Sequence, residues 1–228
     1  MKGMSEMTPL IAVIGGTGDL GSAIARRLVK AGERVVIGSR DPAKAEATAT
    51  RLAAESSRAV GSAANAEAAQ QADLIILTVP FASQEATLRD IAPAVAGKIV
   101  VDTTVPLVPP KVMRVQLPAE GSAAIRAQKI LGEGVRVVSA FHNVAAHKLA
   151  TDDPVDCDVL VFGDDKAARE SVLRVVAACG LRGLHAGVLA NSAAAEALTS
   201  ILIFINKQYA VDGTGLRITG SLPKAPTG

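Results

Sequence analysis

Aromatic residues are nearly missing from this 228-residue chain, which has no Trp, one Tyr and four Phe. A planar ligand would therefore have to lie mainly on aliphatic side chains. Cysteine is scarce as well. Cys157 and Cys179 are too few for a disulfide framework and lack metal-ligand spacing, so they read as small buried hydrophobes of a cytoplasmic protein. Charge of one sign is not in excess: the formal net charge is +2 and no basic cluster occurs, so neither nucleic acid nor an anionic membrane is an expected partner. The start, MKGMSEMTPL, has no apolar signal core, and the longest later apolar run, Leu198 to Ile205, is far short of the roughly 20 residues a membrane helix needs. The expectation is a soluble, non-exported protein whose natural start is Met1, Met4 or Met7.

What the chain does have is an alternation of short apolar runs with alanine-rich helical stretches, the pattern of βαβ units in a parallel sheet covered on both faces. Strands are predicted near 10–15, 34–38, 57–60, 73–79, 98–102, 135–139, 158–163 and 181–186. Helices are predicted at 19–31, 42–55, 64–71, 83–93, 120–131 and 165–179, with one long C-terminal helix from Ala190 to Ala210. The fold class is α/β, a Rossmann-like, doubly wound, mostly parallel sheet with a small C-terminal α/β lobe. Residues 8–145 are assigned to the dinucleotide-binding domain, 146–219 to the lobe and 220–228 to a disordered tail. About ninety residues follow the first six strands, too few for a large helical substrate domain. The loop from Thr103 to Pro118 is long and proline-rich, follows a strand end, and is for that reason expected to be functional.

Residues Ile11 to Gly21, IAVIGGTGDLG, carry the most specific signal. Gly16, Gly18 and Gly21 have G-x-G-x-x-G spacing between an apolar strand and a helix start. The first glycine permits a tight turn, the second lets backbone approach a pyrophosphate, and the third lets the helix pack on the strand. At the end of the next strand an NAD site usually has an acid for the ribose 2′-hydroxyl; here the chain reads Gly38-Ser39-Arg40. A carboxylate would repel a 2′-phosphate, whereas a hydroxyl and a guanidinium bind it, so NADP is favoured. Thr17 and Lys44 can add to this contact, although Arg40 and Lys44 also read as solvated cations on a helix start. Asp41 followed by Pro42 reads as a helix cap, not as a ribose ligand.

The set expected to bind cofactor is Gly16, Thr17, Gly18, Asp19, Leu20, Gly21, Ser39, Arg40, Lys44, Val79, Pro80, Ala140 and His142. Val79 and Pro80 would wall the riboside, and Ala140 and His142 follow the sixth strand, where the nicotinamide lies. His142 can donate to an acceptor, act as a general acid, orient a ring, or be satisfied by backbone alone. His147 shares no helix face with it and no third ligand has suitable spacing, so no metal is expected. Asp152, Asp153, Asp156 and Asp158 read as a solvated loop and strand edge. Reducing a ketone or imine needs a positioned proton donor, and the chain offers neither a Tyr-x-x-x-Lys pair nor another obvious one. An acceptor that delocalises its own charge needs only oriented ring contact, which points to a flavin-like molecule. Reduction of a ferric chelate, quinone or imine stays open, as does a non-catalytic NADP(H)-binding redox sensor.

The segments IAVIGGTGDLGSAIARRL, VVIGSRDPAKAEA, DLIILTVPF, KIVVDTTVPLVP, VRVVSAFHNVAAHKLA, DVLVFGDD and GVLANSAAAEALTSILIFIN, spread from Pro9 to Gly215, resemble the NADP oxidoreductases that use the deazaflavin coenzyme F420. The resemblance implies hydride transfer between NADP(H) and F420. It assigns Thr17, Ser39 and Arg40 to the 2′-phosphate, and Val79 to the dinucleotide. His142 and Val144 would be the residues touching nicotinamide and deazaflavin, with the ring held against the segment starting at Leu189. It also implies a homodimer. On the acceptor side Ala145 stands where the family has proline, and the loop around Val108 to Leu117 departs from its pattern.

Overall fold

Every interior strand here is apolar at successive positions, because both faces of the sheet are buried. In β1 (Leu10–Ile14), Ile11 and Val13 point into one hydrophobic cluster, while Ala12 and Ile14 point into the other. The computed structural model describes residues 8–221. The three candidate starts, Met1, Met4 and Met7, and the part of the expected tail beyond Ser221 lie outside the described residues.

The other strands are β2 (Arg34–Ser39), β3 (Gly61–Ala64), β4 (Leu74–Leu77), β5 (Ile99–Asp102), β6 (Arg136–Ser139), β7 (Asp158–Gly163) and β8 (Arg182–His185). They form one sheet in the order β3-β2-β1-β4-β5-β6-β7-β8. All neighbours are parallel except β6 and β7, so β7 and β8 extend the same sheet after one reversal. The register levels the carboxyl ends of the central strands. Ile14 lies opposite both Gly38 and Leu77, Leu77 opposite Asp102, and Asp102 opposite Ser139. Loops leaving β1, β2, β4, β5 and β6 therefore converge on one edge, where open α/β sheets bind ligands.

Helices α1 (Asp19–Ala31), α2 (Pro42–Ser56) and α7 (Lys166–Ala178) cover one face, and α3 (Asn65–Gln71), α4 (Phe81–Ile91) and α5 (Ala123–Leu131) the other. Each fully buried Ile or Leu, such as Ile24 and Leu28 in α1 or Leu88 and Ile91 in α4, contributes about 1.5–3 kcal/mol of burial free energy, which fixes the helix faces. A short α6 (Ala146–Leu149) and the long α8 (Ser192–Tyr209) complete the fold.

The third strand falls later than predicted, at Gly61–Ala64 instead of 57–60. The reason is that α2 runs to Ser56 and ends with Ser57 in the left-handed region, φ 55°, so the next residues are spent on the turn. As the edge strand, β3 needs little apolar surface, and its GSAA sequence hides it. Helix α5 starts at Ala123, not 120, because Gly121 has φ +100° and Ser122 caps the helix by accepting from Ile125 N. Helix α6 has no counterpart in the sequence prediction. The apolar run in α8 is also longer in effect than its uninterrupted core: Leu189–Tyr209, including the turn before α8, is long and apolar enough on average to cross a membrane, mean hydropathy 1.3. Its inner face, however, is polar, with Ser192, Glu196 and Ser200 buried against the body.

Candidate functional site

The loop after β1 is tied to β2 by backbone: Gly15 N and Gly16 N both donate to Gly38 O, at 3.0 and 3.1 Å. The left-handed turn lies one residue earlier than the glycine spacing suggests. Gly15 has φ +76°, whereas Gly16 is excluded from carrying a side chain by Val13 O, 2.7 Å from where a Cβ would stand. Gly21 has no room for a Cβ either, because Thr78 Oγ1 and Gly15 O occupy the space, which lets α1 sit directly on the end of β4. Gly18 differs. A Cβ there would meet only Gly15 O at 3.5 Å, so its exposed backbone borders open space. Gly18 is also the N-cap of α1 and supplies no side-chain cap, so first-turn N–H groups near Asp19 and the half-buried Leu20 remain available to an anion. This cradle fits a pyrophosphate, with Thr17 half-buried beside it.

At the tip of β2, Ser39 is buried and its Oγ accepts from Asp41 N at 3.1 Å, leaving the hydroxyl proton to donate outward. Arg40 and Lys44 are exposed on either side of the α2 start. Asp41 Oδ1 accepts from Ala43 N and Lys44 N, capping the helix as its sequence position predicts. Two cations and a hydroxyl thus stand at the strand tip around a capping acid, a net positive setting that suits a dianionic phosphate.

Val79 is half-buried and Pro80 exposed after β4; Val79 Cγ1 lies 2.7 Å from the Cβ position of Gly15, so it walls the glycine loop. Beyond β6, Ala140 is fully buried and its N donates to Asp102 O at 3.2 Å. Phe141, also fully buried, has φ 67°. A non-glycine residue in this region costs on the order of 1–3 kcal/mol, and such outliers cluster at functional sites. The turn swings His142 back over the strand end, where Nε2 lies 2.6 Å from Ser139 Oγ and the ring tilts at 58° to Phe162. Burial pushes the imidazole down to about 4. A value this low favours the neutral imidazole near neutral pH, a form that can still hydrogen-bond and orient a ring. Val144 packs half-buried against the core, next to Ala145.

Two buried carboxylates near this edge escaped the sequence reading. Asp102, at the end of β5, accepts from Thr104 N and from Gln84 Nε2, and Gln84 in turn accepts from Arg126, whose guanidinium lies 4.0 Å above the Phe81 ring. Burial raises Asp102 to about 6 against these donors. Glu196 on α8 accepts from Ala123 N at 2.6 Å and from Ala124 N at 3.2 Å, which satisfies the first N–H groups of α5, and burial raises it to about 7. Helix α8 also reaches the reaction edge through Thr199, which donates to His142 O at 2.9 Å, and through Asn143, whose Nδ2 donates to Ala195 O and Thr199 Oγ1. A lone acid inside the apolar stretch AAAEALTSILIF was the only signal for Glu196. Asp102 had none.

His147 is not brought to His142; it pairs on the surface with Asp212 at 3.1 Å. Among the described residues no cluster of three His, Cys, Asp or Glu exists that could hold a metal. The acids from 152 to 158 divide. Asp152 is solvated and held down to about 2 by hydrogen bonds from Arg26 and Lys30, whereas Asp158, expected at a solvated edge, is buried and paired with Arg182 because the segment ending at Ile218 folds over it. A 490 Å³ cleft between α1, α2 and Asp152 lies away from this edge, and its cations Arg26, Lys30 and Arg51 are paired with Glu55 and Asp152.

Comparison with known proteins gives a consistent result. The family described as NADP oxidoreductase, coenzyme F420-dependent, matches residues 10–106. The chain is 40% identical to the F420-dependent NADP reductase of Methanothermobacter thermautotrophicus over 96% of this chain and 97% of that protein. It is likewise 40% identical to the F420-dependent NADP reductase of Methanocaldococcus jannaschii, over 92% and 97%. A crystal structure from Arthrobacter sp. FB24, assigned as an F420-dependent NADP reductase, superposes with TM-score 0.79 at 27% identity, covering 92% of this chain and 99% of that one.

Proposed function

Because the chain belongs to the family of F420-dependent NADP reductases, we propose that it is an NADP-dependent oxidoreductase transferring a hydride reversibly between NADP(H) and the deazaflavin coenzyme F420. The chemistry is the cofactors' own, hydride passing between C4 of nicotinamide and C5 of deazaflavin. What the chain contributes is grip and alignment. The Gly16–Gly21 loop with Thr17, Asp19 and Leu20 holds the pyrophosphate, and Ser39, Arg40 and Lys44 hold the 2′-phosphate. Val79 and Pro80 bound the riboside, while Ala140, His142 and Val144 orient the rings. The observation that carries this reading is the tip of β2, where Ser39 and Arg40 replace the ribose-binding acid and the neighbouring Asp41 caps α2 through its Oδ1.

Residues 146–219 complete the acceptor site in this reading. Support comes from the two links, Thr199 to His142 and Asn143 to Ala195, that join α8 to the hydride edge. A second copy of the chain would dock on the outer face of α8, where Ile201 and Phe204 are 46% and 50% exposed, giving a homodimer. A Phe204→Asp variant sedimenting at the wild-type size would remove that dimer. Two buried free thiols fit a cytoplasmic location. The test of activity is NADPH oxidation followed in parallel with F420, FMN and a ferric chelate. Turnover with F420 alone supports the assignment. Turnover with the others moves the protein to another acceptor, and binding without turnover makes it a redox sensor.

A further inference from the structure

Residues 61–69, GSAANAEAA, are mostly small and apolar, and the segment carries one amide. Asn65 follows the last residue of β3, and β3 pairs with β2 so that Ala64 lies opposite Ser39. Asn65 therefore stands one step past the Ser39 row, on the same sheet edge as Arg40. It is 4% exposed, and its Oδ1 accepts no hydrogen bond. It is not a helix cap, since α3 is preceded by Ala64 and has no side-chain cap bond.

A buried carbonyl oxygen without a donor is destabilising, and an alanine like its neighbours would avoid that cost. The oxygen instead has space made for it. Gly38 lacks the Cβ that would lie 3.2 Å from Asn65 Oδ1 and crowd both it and Ile14. The oxygen end is lodged beside β2, so the amide's hydrogen-bonding capacity lies in its other end, the NH2 donors. The neighbouring anion site of Ser39 and Arg40 is one step away.

From this juxtaposition we infer that Asn65 is a further cofactor-binding residue, whose side-chain NH2 donates to the 2′-phosphate of NADP(H) and adds to selection against NAD(H). The inference rests on the NADP reading above.

The test is calorimetric titration of the full-length protein with adenosine 2′,5′-bisphosphate and, separately, with ADP, for wild type, Asn65→Ala, Asn65→Asp and Arg40→Ala. The expected result is roughly tenfold weaker bisphosphate binding for Asn65→Ala, a larger loss for the isosteric Asn65→Asp through repulsion, and little change for ADP. The melting temperature of Asn65→Ala should not fall. Equal losses for both nucleotides, or wild-type affinity in both Asn65 variants while Arg40→Ala binds weakly, overturn the role of Asn65 alone. If Arg40→Ala also binds the bisphosphate normally, the NADP reading itself falls.

Discussion

Oγ of Ser139 and Nε2 of His142 stand 2.6 Å apart at the end of β6, closing a turn that passes through the left-handed Phe141. The imidazole is pinned on one side and, with burial holding it down to about 4, it stays uncharged through the working pH range. His142→Ala is expected to lower kcat roughly tenfold, about 1.4 kcal/mol of lost orientation, with a smaller change in KM. The wild-type kcat profile between about pH 5 and 8 should show no inflection that His142→Ala abolishes; such an inflection would restore an acid–base role.

Arg40→Ala should raise KM for NADPH far more than for NADH. Loss of one charge-assisted phosphate contact costs about 1.5–3 kcal/mol, or roughly 10- to 150-fold. Steady-state kinetics with both nucleotides checks it, and equal losses would deny Arg40 its phosphate.

Gly18 and Gly21 should fail in different ways. The Cβ of Gly18→Ala would meet only Gly15 O at 3.5 Å and otherwise face the open crevice, so NADP+ affinity should drop while the melting temperature falls by no more than the loss of a glycine N-cap costs. Gly21→Ala forces a Cβ against Thr78 Oγ1 and Gly15 O and should destabilise the fold by about 1–3 kcal/mol. Paired thermal melts and binding titrations distinguish the two, and wild-type NADP+ affinity in Gly18→Ala would contradict the assignment.

Glu196 makes stability depend on pH. Its folded value is raised from 4.5 to about 7 by burial, so the folded protein holds this proton after the unfolded chain has released it. The stabilisation is complete below about pH 4.5 and is lost as pH rises through 7, a change on the order of 3 kcal/mol. Glu196→Gln does not titrate, so urea unfolding should show the variant gaining on wild type between pH 4.5 and 8. A stability difference that stays level across that range would contradict the buried, proton-retaining carboxyl.

The glycine loop, the Ser39–Arg40 tip and the Asp41 cap were legible because each depends on residues adjacent in sequence and on one backbone geometry. The parallel sheet was legible from apolar runs such as Leu10–Ile14 and Leu74–Leu77, since strands buried on both faces leave no alternation to misread. Glu196 was not, because its partners Ala123 and Ala124 lie more than seventy residues away and only the packing of α8 on α5 brings them together. The same holds for Asp102 with Gln84, a pair joined by neighbouring elements of the fold. Position β3 was missed for the opposite reason: an edge strand built of Gly, Ser and Ala has no signature of its own.

Direct hydride passage between two rings held by one chain is tested most plainly with NADPH deuterated at C4 and oxidised F420. Each C4 epimer is used in turn, followed by mass analysis of the reduced deazaflavin. The account predicts that one epimer delivers its deuterium to C5 of F420, with no label washed into solvent. Label recovered only in water, or no reduction of F420 while NADPH is bound, would contradict it.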